Sequence, residues 1–178
     1  MYYEHCSYFS PASLVRLFED CGFEVFETWL DFDDQYLFLM ARPREMTSND
    51  RRVSALRDDA LQESVSQFEN TVTDEITQWT NRVRGFAEAG RRPVIWGSGS
   101  KCVSFLTTTG LQEEIEFVVD VNPYKQGKFL PSTGHKVIAP EELRDYQPQA
   151  VVVMNPVYVA EIGKQLAELG VEAELAVV

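Results

Sequence analysis

The sequence has 178 residues, of which 44% are hydrophobic and 12% aromatic, and this composition supplies a folded core and excludes a disordered chain. Its 28 acidic and 16 basic residues give a formal net charge of −12. Such a field repels phosphate backbones and anionic bilayers, so we expect neither nucleic-acid nor membrane partners. No signal peptide or membrane-spanning apolar run is evident, which predicts a cytoplasmic protein.

The three cysteines, Cys6, Cys21 and Cys102, are scattered along the chain and form no CxxC pair. This spacing suggests neither a structural zinc site nor a disulfide framework. We therefore expect reduced, mostly buried thiols and no bound metal in this chain.

Residues 1 to 43 predict one helix followed by two strands. Ser10 and Pro11 are typical of a helix N-terminus, and apolar residues recur at helical spacing up to Gly22, a typical stop. The runs FEVFETWL and QYLFLMARP, separated by the polar turn DFDD, predict a hairpin. Because a helix and a hairpin are too little to enclose a core, we interpret this section as the end of a larger sheet.

Residues 44 to 90 are interpreted as a linker and one long amphipathic helix, although a break near Leu61 also fits the pattern. The stripe predicts either a subunit interface or a connector that packs on the next domain. We favour the connector, because one stripe needs one partner surface. The apolar stripe consists of Val53, Leu56, Ala60, Val65, Phe68, Val72, Ile76, Trp79, Val83 and Phe86.

Residues 91 to 178 alternate short apolar strands with helical segments. The predicted strands are RPVIWG, EFVVDV, KVIA, AVVVMN and AELAVV. Because they lack polar alternation, we expect a parallel sheet that is buried on both faces. The predicted fold class is therefore α/β, a Rossmann-like doubly wound parallel sheet preceded by the long helix and by the helix and hairpin.

A glycine-rich turn, GSGSK at residues 97 to 101, follows the first of these strands and opens a helix. Glycines allow close backbone approach and a helix N-terminus offers free N–H groups, so the turn suits a phosphate or pyrophosphate. Asp120, which ends the next strand, falls where dinucleotide folds carry an acidic ribose ligand. Cys102 replaces the third glycine of that fingerprint, and a plain tight turn is an equal alternative.

Polar segments also follow the later strands, at the edge where open α/β sheets bind ligands. NPYKQGK and PSTGH come after the second strand, and they predict either a local anion site or a solvated loop. Asn155, which ends the fourth strand, predicts a ligand contact or a turn that caps the next helix. The lysines of the predicted anion site are Lys125, Lys128 and Lys136.

The opening, YYEH, places a histidine beside a carboxylate at His5 and Glu4. Such a histidine can act as a general base, because its ordinary pKa lies near neutrality and a carboxylate can orient it. A single histidine near a terminus can equally be incidental. The residues alone leave both interpretations open.

Four ordered motifs resemble the C-terminal part of the S-adenosylmethionine-dependent C-methyltransferases that act on nucleotide-linked keto-deoxysugars. The motifs are YEHxSYFSPASLxxLFExxGFEV, WGxGSKxxxFL, VVDxNPYKQGKxLPxTGH and VVVMNPxYxxEI. They span essentially the whole chain apart from the long helix. The resemblance implies that residues 1 to 43 end a class I methyltransferase domain and that residues 91 to 178 form a Rossmann-like C-terminal domain. The methyl-donor loop and the zinc cysteines of that family have no counterpart here.

The resemblance also implies roles for single residues. His5 would remove a proton from the carbon beside the sugar ketone, with Glu4 orienting it and Tyr2 positioning the substrate or stabilising the oxyanion. The enolate would then attack the sulfonium methyl group. Cys102 and Ser132 depart from the family pattern, which has glycine at both positions. The candidate substrate- and nucleotide-binding residues are Gly97, Ser98, Gly99, Ser100, Lys101, Asp120, Asn122, Lys125 and Asn155.

The resemblance thus predicts the substrate-binding part of such an enzyme, inactive alone because the region that binds S-adenosylmethionine is missing. The expected partners are a nucleotide-diphosphate sugar and either a separate methyltransferase domain or a second copy of the chain. Two alternatives remain: a stand-alone nucleotide- or NAD-binding Rossmann module, and a non-catalytic assembly module joined through the long helix.

Overall fold

The computed structural model describes residues 7–32, 34–45 and 59–178, except for the side chains of residues 59–61. The chain divides into two compact units, with the boundary between Gln62 and Glu63. Several residues of the predicted sites and stripe lie outside this description: Tyr2, Glu4, His5, Cys6, Val53, Leu56 and the side chain of Ala60.

The N-terminal unit is a helix followed by an antiparallel hairpin, as predicted. Helix α1 spans Pro11–Asp20, and strands β1 and β2 span Phe23–Asp31 and Tyr36–Pro43. The Ser10 hydroxyl accepts from the Ser13 N–H at 3.2 Å, and the Ser13 hydroxyl accepts from the Ser10 N–H at 2.8 Å. This reciprocal cap satisfies two backbone donors and fixes where the helix begins.

The hairpin presents an aromatic face. The Trp29 and Phe38 rings stack with centroids 5.2 Å apart, yet these side chains remain 38% and 37% exposed. A bulge between Val25 and Glu27 interrupts the register of the two strands. Among the described residues of this unit, no apolar side chain is buried.

The C-terminal unit is a five-stranded parallel sheet in the order β5-β4-β3-β6-β7. Short 3₁₀ turns precede the two helices that follow β5 and β6. This order and the parallel pairing of all five strands confirm the predicted Rossmann-like α/β sheet. The elements are α2 (Asp59–Glu88), β3 (Pro93–Trp96), α3 (Ser100–Thr109), β4 (Phe117–Val119), β5 (Lys136–Ile138), α4 (Leu143–Tyr146), β6 (Ala150–Val153), α5 (Val159–Leu169) and β7 (Glu174–Val177).

Helices cover both faces of this sheet, so alternate side chains of each strand enter different core clusters. Ile95 and Val152 pack with α2 and α3 on one face. Val94 and Val153 pack with α4 and α5 on the other. All four side chains are fully buried, which explains why the strands read as continuous apolar runs.

Helix α2 runs without a break at Leu61. Val83 and Phe86 near its C-terminal end are buried, at 0% and 7% exposed, and Val83 packs against the sheet. Phe68, about four turns before Val83, is 60% exposed. The C-terminal half of the helix therefore packs as the predicted connector. Within the described ranges, no helix has both the length and the apolarity needed to cross a bilayer.

Ion pairs join α2 to the last strand. The Glu174 carboxylate forms ion pairs with the guanidinium of Arg82, at 3.1 Å, and with that of Arg91, at 2.9 Å. Arg91 also stands over the Phe86 ring, 4.5 Å from its centroid. These contacts fix the end of α2 beside the amino end of β7.

The outer edge of β5 is covered by the chain itself. Residues 127–130 return antiparallel to the strand through a bridge between Phe129 and Lys136. Gly127 N–H donates to the Val137 carbonyl at 2.8 Å, and Val137 N–H donates to the Lys128 carbonyl at 2.8 Å. This hairpin anchors the polar segment that follows β4.

Candidate functional site

A cleft of about 330 Å³ opens at the carboxyl ends of the parallel strands. It lies between the ends of β3 and β6, where the strand order reverses direction. Open α/β sheets bind their ligands at this switch point. Three predicted site residues, Gly97, Asp120 and Asn155, meet there. The cleft is lined by Trp96, Gly97, Asp120, Val121, Met154, Asn155, Tyr158, Glu161, Ile162 and Gln165.

Gly97 brings the backbone of the glycine turn against strand β6. Its φ is +110°, a conformation that side chains rarely adopt, and an added Cβ would lie 3.3 Å from Cβ of Met154. Gly97 N–H donates to the Val119 carbonyl at 2.8 Å. Glycine is therefore required at this position by both its backbone conformation and its close neighbour.

The N-terminus of α3 follows this turn and is open. Its N-cap residue, Gly99, has extended backbone and gives no side-chain cap. In an α-helix the first N–H groups have no acceptor within the helix, which here applies to those of Ser100 and Lys101. Together with the helix dipole they can bind an anionic oxygen, as the sequence predicts.

Asp120 joins the glycine turn to the loop after β4. Its carboxylate accepts from Ser98 N–H at 3.0 Å and from the Ser98 hydroxyl. It also accepts from Asn122 N–H at 2.9 Å and from Lys125 Nζ at 3.2 Å. Burial alone would raise the pKa of Asp120, but these hydrogen bonds outweigh it and hold the pKa below its ordinary value.

The same contacts limit what Asp120 can bind. Three of the four donors, Ser98 N–H, the Ser98 hydroxyl and Lys125 Nζ, share Oδ2, while Asn122 N–H meets Oδ1, and the residue is 8% exposed. The position predicted for a ribose ligand is therefore engaged in holding two loops together.

The side chain of Lys101 does not lie at the glycine turn, where it was predicted to contact a phosphate. Its Nζ donates to the Val178 carbonyl at 2.9 Å, and the residue lines a separate groove between α2 and α3. Burial lowers the pKa of Lys101. The structure brings the backbone of Lys101, but not its ammonium group, to the glycine turn.

Two of the three lysines of the predicted anion site have carboxylate partners. Lys125 pairs with Asp120, and Lys136 pairs with Glu142 at 3.6 Å. Lys128 is exposed. The positive charge in this region is thus partly neutralised, although the side chain of Lys125 is still 44% exposed.

Asn122 and Asn155 each fold the turn that follows them. Asn122 Oδ1 accepts from Tyr124 N–H at 3.0 Å, and Asn155 Oδ1 accepts from Val157 N–H at 3.1 Å. Asn155 caps the 3₁₀ turn before α5 and also lines the cleft. Both sequence interpretations of Asn155 therefore fit its position.

The segment PSTGH lies in the hairpin beside β5. Ser132 has a φ of +67°, which explains the glycine expected there by resemblance. His135 is 6% exposed, and its Nε2 lies 3.1 Å from the Gln112 carbonyl oxygen. This histidine belongs to the packed base of the hairpin and does not line the cleft.

Sequence reasoning missed the contribution of α5 to the cleft. Tyr158, Glu161 and Gln165 line it from one side. Their spacing of three and four residues after the Asn-Pro turn places them on one helical face, and this spacing could have identified them.

The two described cysteines differ in environment. Cys102 is buried, and burial together with the charge of Asp120 raises its pKa to about 12. Cys21 is exposed, so the expectation of mostly buried thiols was wrong for this residue, because the small N-terminal unit has no core to cover it. In the part of the chain that the structure describes, no group of three potential metal ligands occurs.

The strand order and the switch-point cleft define a Rossmann-like α/β domain. Within that class, residues 41–175 match the family of C-methyltransferase C-terminal domains, and the chain belongs to this family. The resemblance seen in the four motifs is thereby confirmed. Membership of this family does not favour a stand-alone nucleotide-binding or assembly module.

The chain is also similar to C-methyltransferase NovU of Streptomyces niveus, with 29% identity over 174 residues. The match covers 91% of this chain and 41% of that protein, so the chain spans less than half the length of this curated relative. Among solved structures, the crystal structure of RSP, a Rex-family repressor, matches 48% of this chain and 51% of that chain, with 14% identity and a TM-score of 0.36. A likeness at this TM-score supports no argument about function.

Proposed function

We propose that the chain is the C-terminal, substrate-binding part of an S-adenosylmethionine-dependent C-methyltransferase that acts on a nucleotide-linked keto-deoxysugar. Its family supports the methyltransferase assignment. The observation that carries the substrate proposal is the switch-point cleft, which adjoins the open N-terminus of α3. An apolar cleft beside free backbone donors suits a ligand that is part nucleoside and part diphosphate.

The glycine turn is the proposed diphosphate site. The first N–H groups of α3, at Ser100 and Lys101, and the helix dipole would receive the anionic oxygens. Lys125 lies beside them through its contact with Asp120 and adds a partly exposed positive charge. The Lys101 ammonium is left out of the proposed site, because it contacts the Val178 carbonyl in the separate groove.

The methyl donor does not fit the described residues. A nucleoside donor in a Rossmann-type site needs a carboxylate that is free to bind the ribose hydroxyls. Asp120 holds that position, but it is 8% exposed, and its carboxylate is engaged by Ser98, Asn122 and Lys125. We therefore place the donor on another part of the complete enzyme, and the same argument weighs against an NAD-binding module.

The proposed catalytic residues are His5 as the base, Glu4 as its orienting partner and Tyr2 beside the substrate. They lie outside the described residues, and their roles rest on the resemblance alone. Residues 1 to 43 are proposed to end the methyltransferase domain. The absence of buried apolar side chains among the described residues of this section supports that assignment.

Isothermal titration calorimetry tests the proposal with a thymidine-diphosphate sugar and, separately, with S-adenosylmethionine. The chain is expected to bind the sugar nucleotide and not the methyl donor. Val121→Trp would fill the cleft from a position that is 59% exposed, and it should abolish binding. Val65→Trp is the matched control, because Val65 is 61% exposed on α2 and does not line the cleft.

A second control uses Lys101→Ala, which should leave binding unchanged because this ammonium lies outside the cleft. Circular dichroism verifies that each variant is folded. Equal binding by Val121→Trp, or no binding of the sugar nucleotide by the unaltered chain, would contradict the proposal. Binding of S-adenosylmethionine would contradict the placement of the donor elsewhere.

A further inference from the structure

The groove between α2 and α3 has a volume of about 420 Å³ and shares no lining residue with the switch-point cleft. The residues of α2 that line it recur in steps of three and one, so they lie on one face of the helix. They extend over three helical turns, or about 16 Å along the helix axis. These residues are Phe68, Thr71, Val72, Glu75, Ile76 and Trp79.

Helix α3 forms the other wall of the groove. Lys101, Ser104, Phe105 and Thr108 line it and again recur in steps of three and one. A groove that runs between two helices for three turns has the shape in which a third, amphipathic helix docks.

The apolar stripe of α2 continues beyond the part that the sheet covers. Trp79 packs edge-to-face on the buried Phe105 ring, with centroids 5.7 Å apart. Three turns earlier, Phe68 is 60% exposed, and Val65 is 61% exposed. Single exposed apolar side chains are ordinary, but a continuous stripe that leads into a groove indicates an interaction surface.

The charges of α2 indicate the chemistry of the partner. Residues 59–81 contain five acidic residues and no lysine or arginine. Glu75 lines the groove, and Glu69 follows Phe68 directly; both are exposed. Lys101 is the only cation among the described lining residues, and its Nζ contacts the Val178 carbonyl.

These charges decide between possible occupants. A second copy of the chain would bring the same acidic helix to the groove, and like charges across an interface repel. A helix with lysine or arginine along the borders of its apolar face would instead pair with Glu69 and Glu75.

We propose that the groove between α2 and α3 docks a basic amphipathic helix of another polypeptide. The apolar face of that helix covers Phe68 and Val72, and its basic residues pair with Glu69 and Glu75. Burial of the Phe68 ring supplies most of the affinity, while the exposed ion pairs select the partner. This contact goes beyond the proposed function, because the groove is separate from the switch-point cleft.

The test uses two labelled helical peptides of about 18 residues, one built from leucine, alanine and lysine and the other from leucine, alanine and glutamate. Fluorescence anisotropy measures their binding to the whole chain at physiological ionic strength, which screens the general attraction of a protein with a net charge of −12. We expect the lysine peptide to bind at least about tenfold more tightly than the glutamate peptide.

Variants locate the bound peptide. Phe68→Ala should weaken binding of the lysine peptide about tenfold, and Glu75→Gln should weaken it about threefold. Phe129→Ala is the control for the ring, because Phe129 is 67% exposed and lies outside the groove. Glu168→Gln is the control for the charge, because Glu168 is an exposed glutamate of α5.

Selective binding of the lysine peptide that is weakened in Phe68→Ala and Glu75→Gln and kept in both controls supports the inference. Equal affinity for the two peptides, unchanged affinity in Phe68→Ala, or equal weakening in Phe129→Ala would overturn it. A dimer that Phe68→Ala dissociates, measured by light scattering, would assign the groove to a second copy and also overturn it. Circular dichroism verifies that each variant is folded, which is expected because Phe68 is exposed.

Discussion

The carboxylate of Asp120 offers a direct test of how the cleft is built, because one substitution removes its charge and keeps its shape. Asp120→Asn retains one acceptor oxygen but replaces the other with an NH₂ group. Since both oxygens of Asp120 accept hydrogen bonds, the new NH₂ group must face at least one donor. The substitution therefore breaks the connection between the glycine turn and the loop after β4.

The magnitude follows from the contacts. A hydrogen bond to a charged group contributes about 1.5–3 kcal/mol, and a buried donor without an acceptor costs about 1–3 kcal/mol. The ion pair with Lys125 adds less, because that lysine is 44% exposed. We expect Asp120→Asn to lower the free energy of unfolding by about 2–4 kcal/mol at neutral pH.

The effect should depend on pH with a defined sign. The pKa of Asp120 in the folded chain lies below its ordinary value, because its hydrogen bonds outweigh the effect of burial. Its ionised form therefore stabilises the fold above the pKa of an unfolded aspartate, which is about 3.9. The advantage of the unaltered chain over Asp120→Asn should shrink as the pH falls through the lowered pKa.

Urea unfolding at neutral pH and at several values below pH 4, followed by circular dichroism, measures both effects. Asp145→Asn is the control, because Asp145 is an exposed aspartate on α4 and should change stability by less than about 0.5 kcal/mol. Equal stability of the two variants would refute the reasoning. So would a difference between Asp120→Asn and the unaltered chain that stays constant down to pH 2.

Three further outcomes follow from single residues. Gly97→Ala should lower the free energy of unfolding by about 1–3 kcal/mol, because its φ is +110° and the new methyl group meets a side chain at 3.3 Å; Gly99→Ala, with nothing within 4 Å, should cost little in the same urea titration. Glu174→Gln should cost at most about 1 kcal/mol, since its ion pairs are exposed, and a loss above about 2 kcal/mol would contradict this. Thiol labelling followed by peptide mass spectrometry should modify Cys21 in the native chain and Cys102 only after unfolding, because Cys102 is buried and its pKa is raised to about 12.

The fold of the C-terminal unit could be predicted because its strands carry no polar alternation. In a run such as AVVVMN, side chains on both faces of the strand are apolar and are buried only between two covering layers. The structure buries β6 in that way. Strand ends also placed Gly97, Asp120 and Asn155 at one edge, where they meet around the cleft. Apolar runs and the positions of strand ends can both be read from the sequence, because both depend on residues that are close together in the chain.

The details of the site could not be predicted in the same way. The motif position of Asp120 suggested a ligand, but no sequence shows that its carboxylate already accepts hydrogen bonds from Ser98, Asn122 and Lys125. Lys101 has a long side chain whose direction depends on the rotation of α3 and on where the Val178 carbonyl lies. These outcomes depend on three-dimensional neighbours that are distant in the sequence.

The returning segment beside β5 has a consequence for how the domain meets other proteins. Backbone groups at the rim of a sheet can recruit a strand from a different molecule. At β5 those groups are taken by residues 127–130. The opposite edge strand is β7, which has four residues. Within the described five-stranded sheet, the addition of a strand from another polypeptide is thus left to the β7 side, away from the loop that carries Asn122 and Lys125.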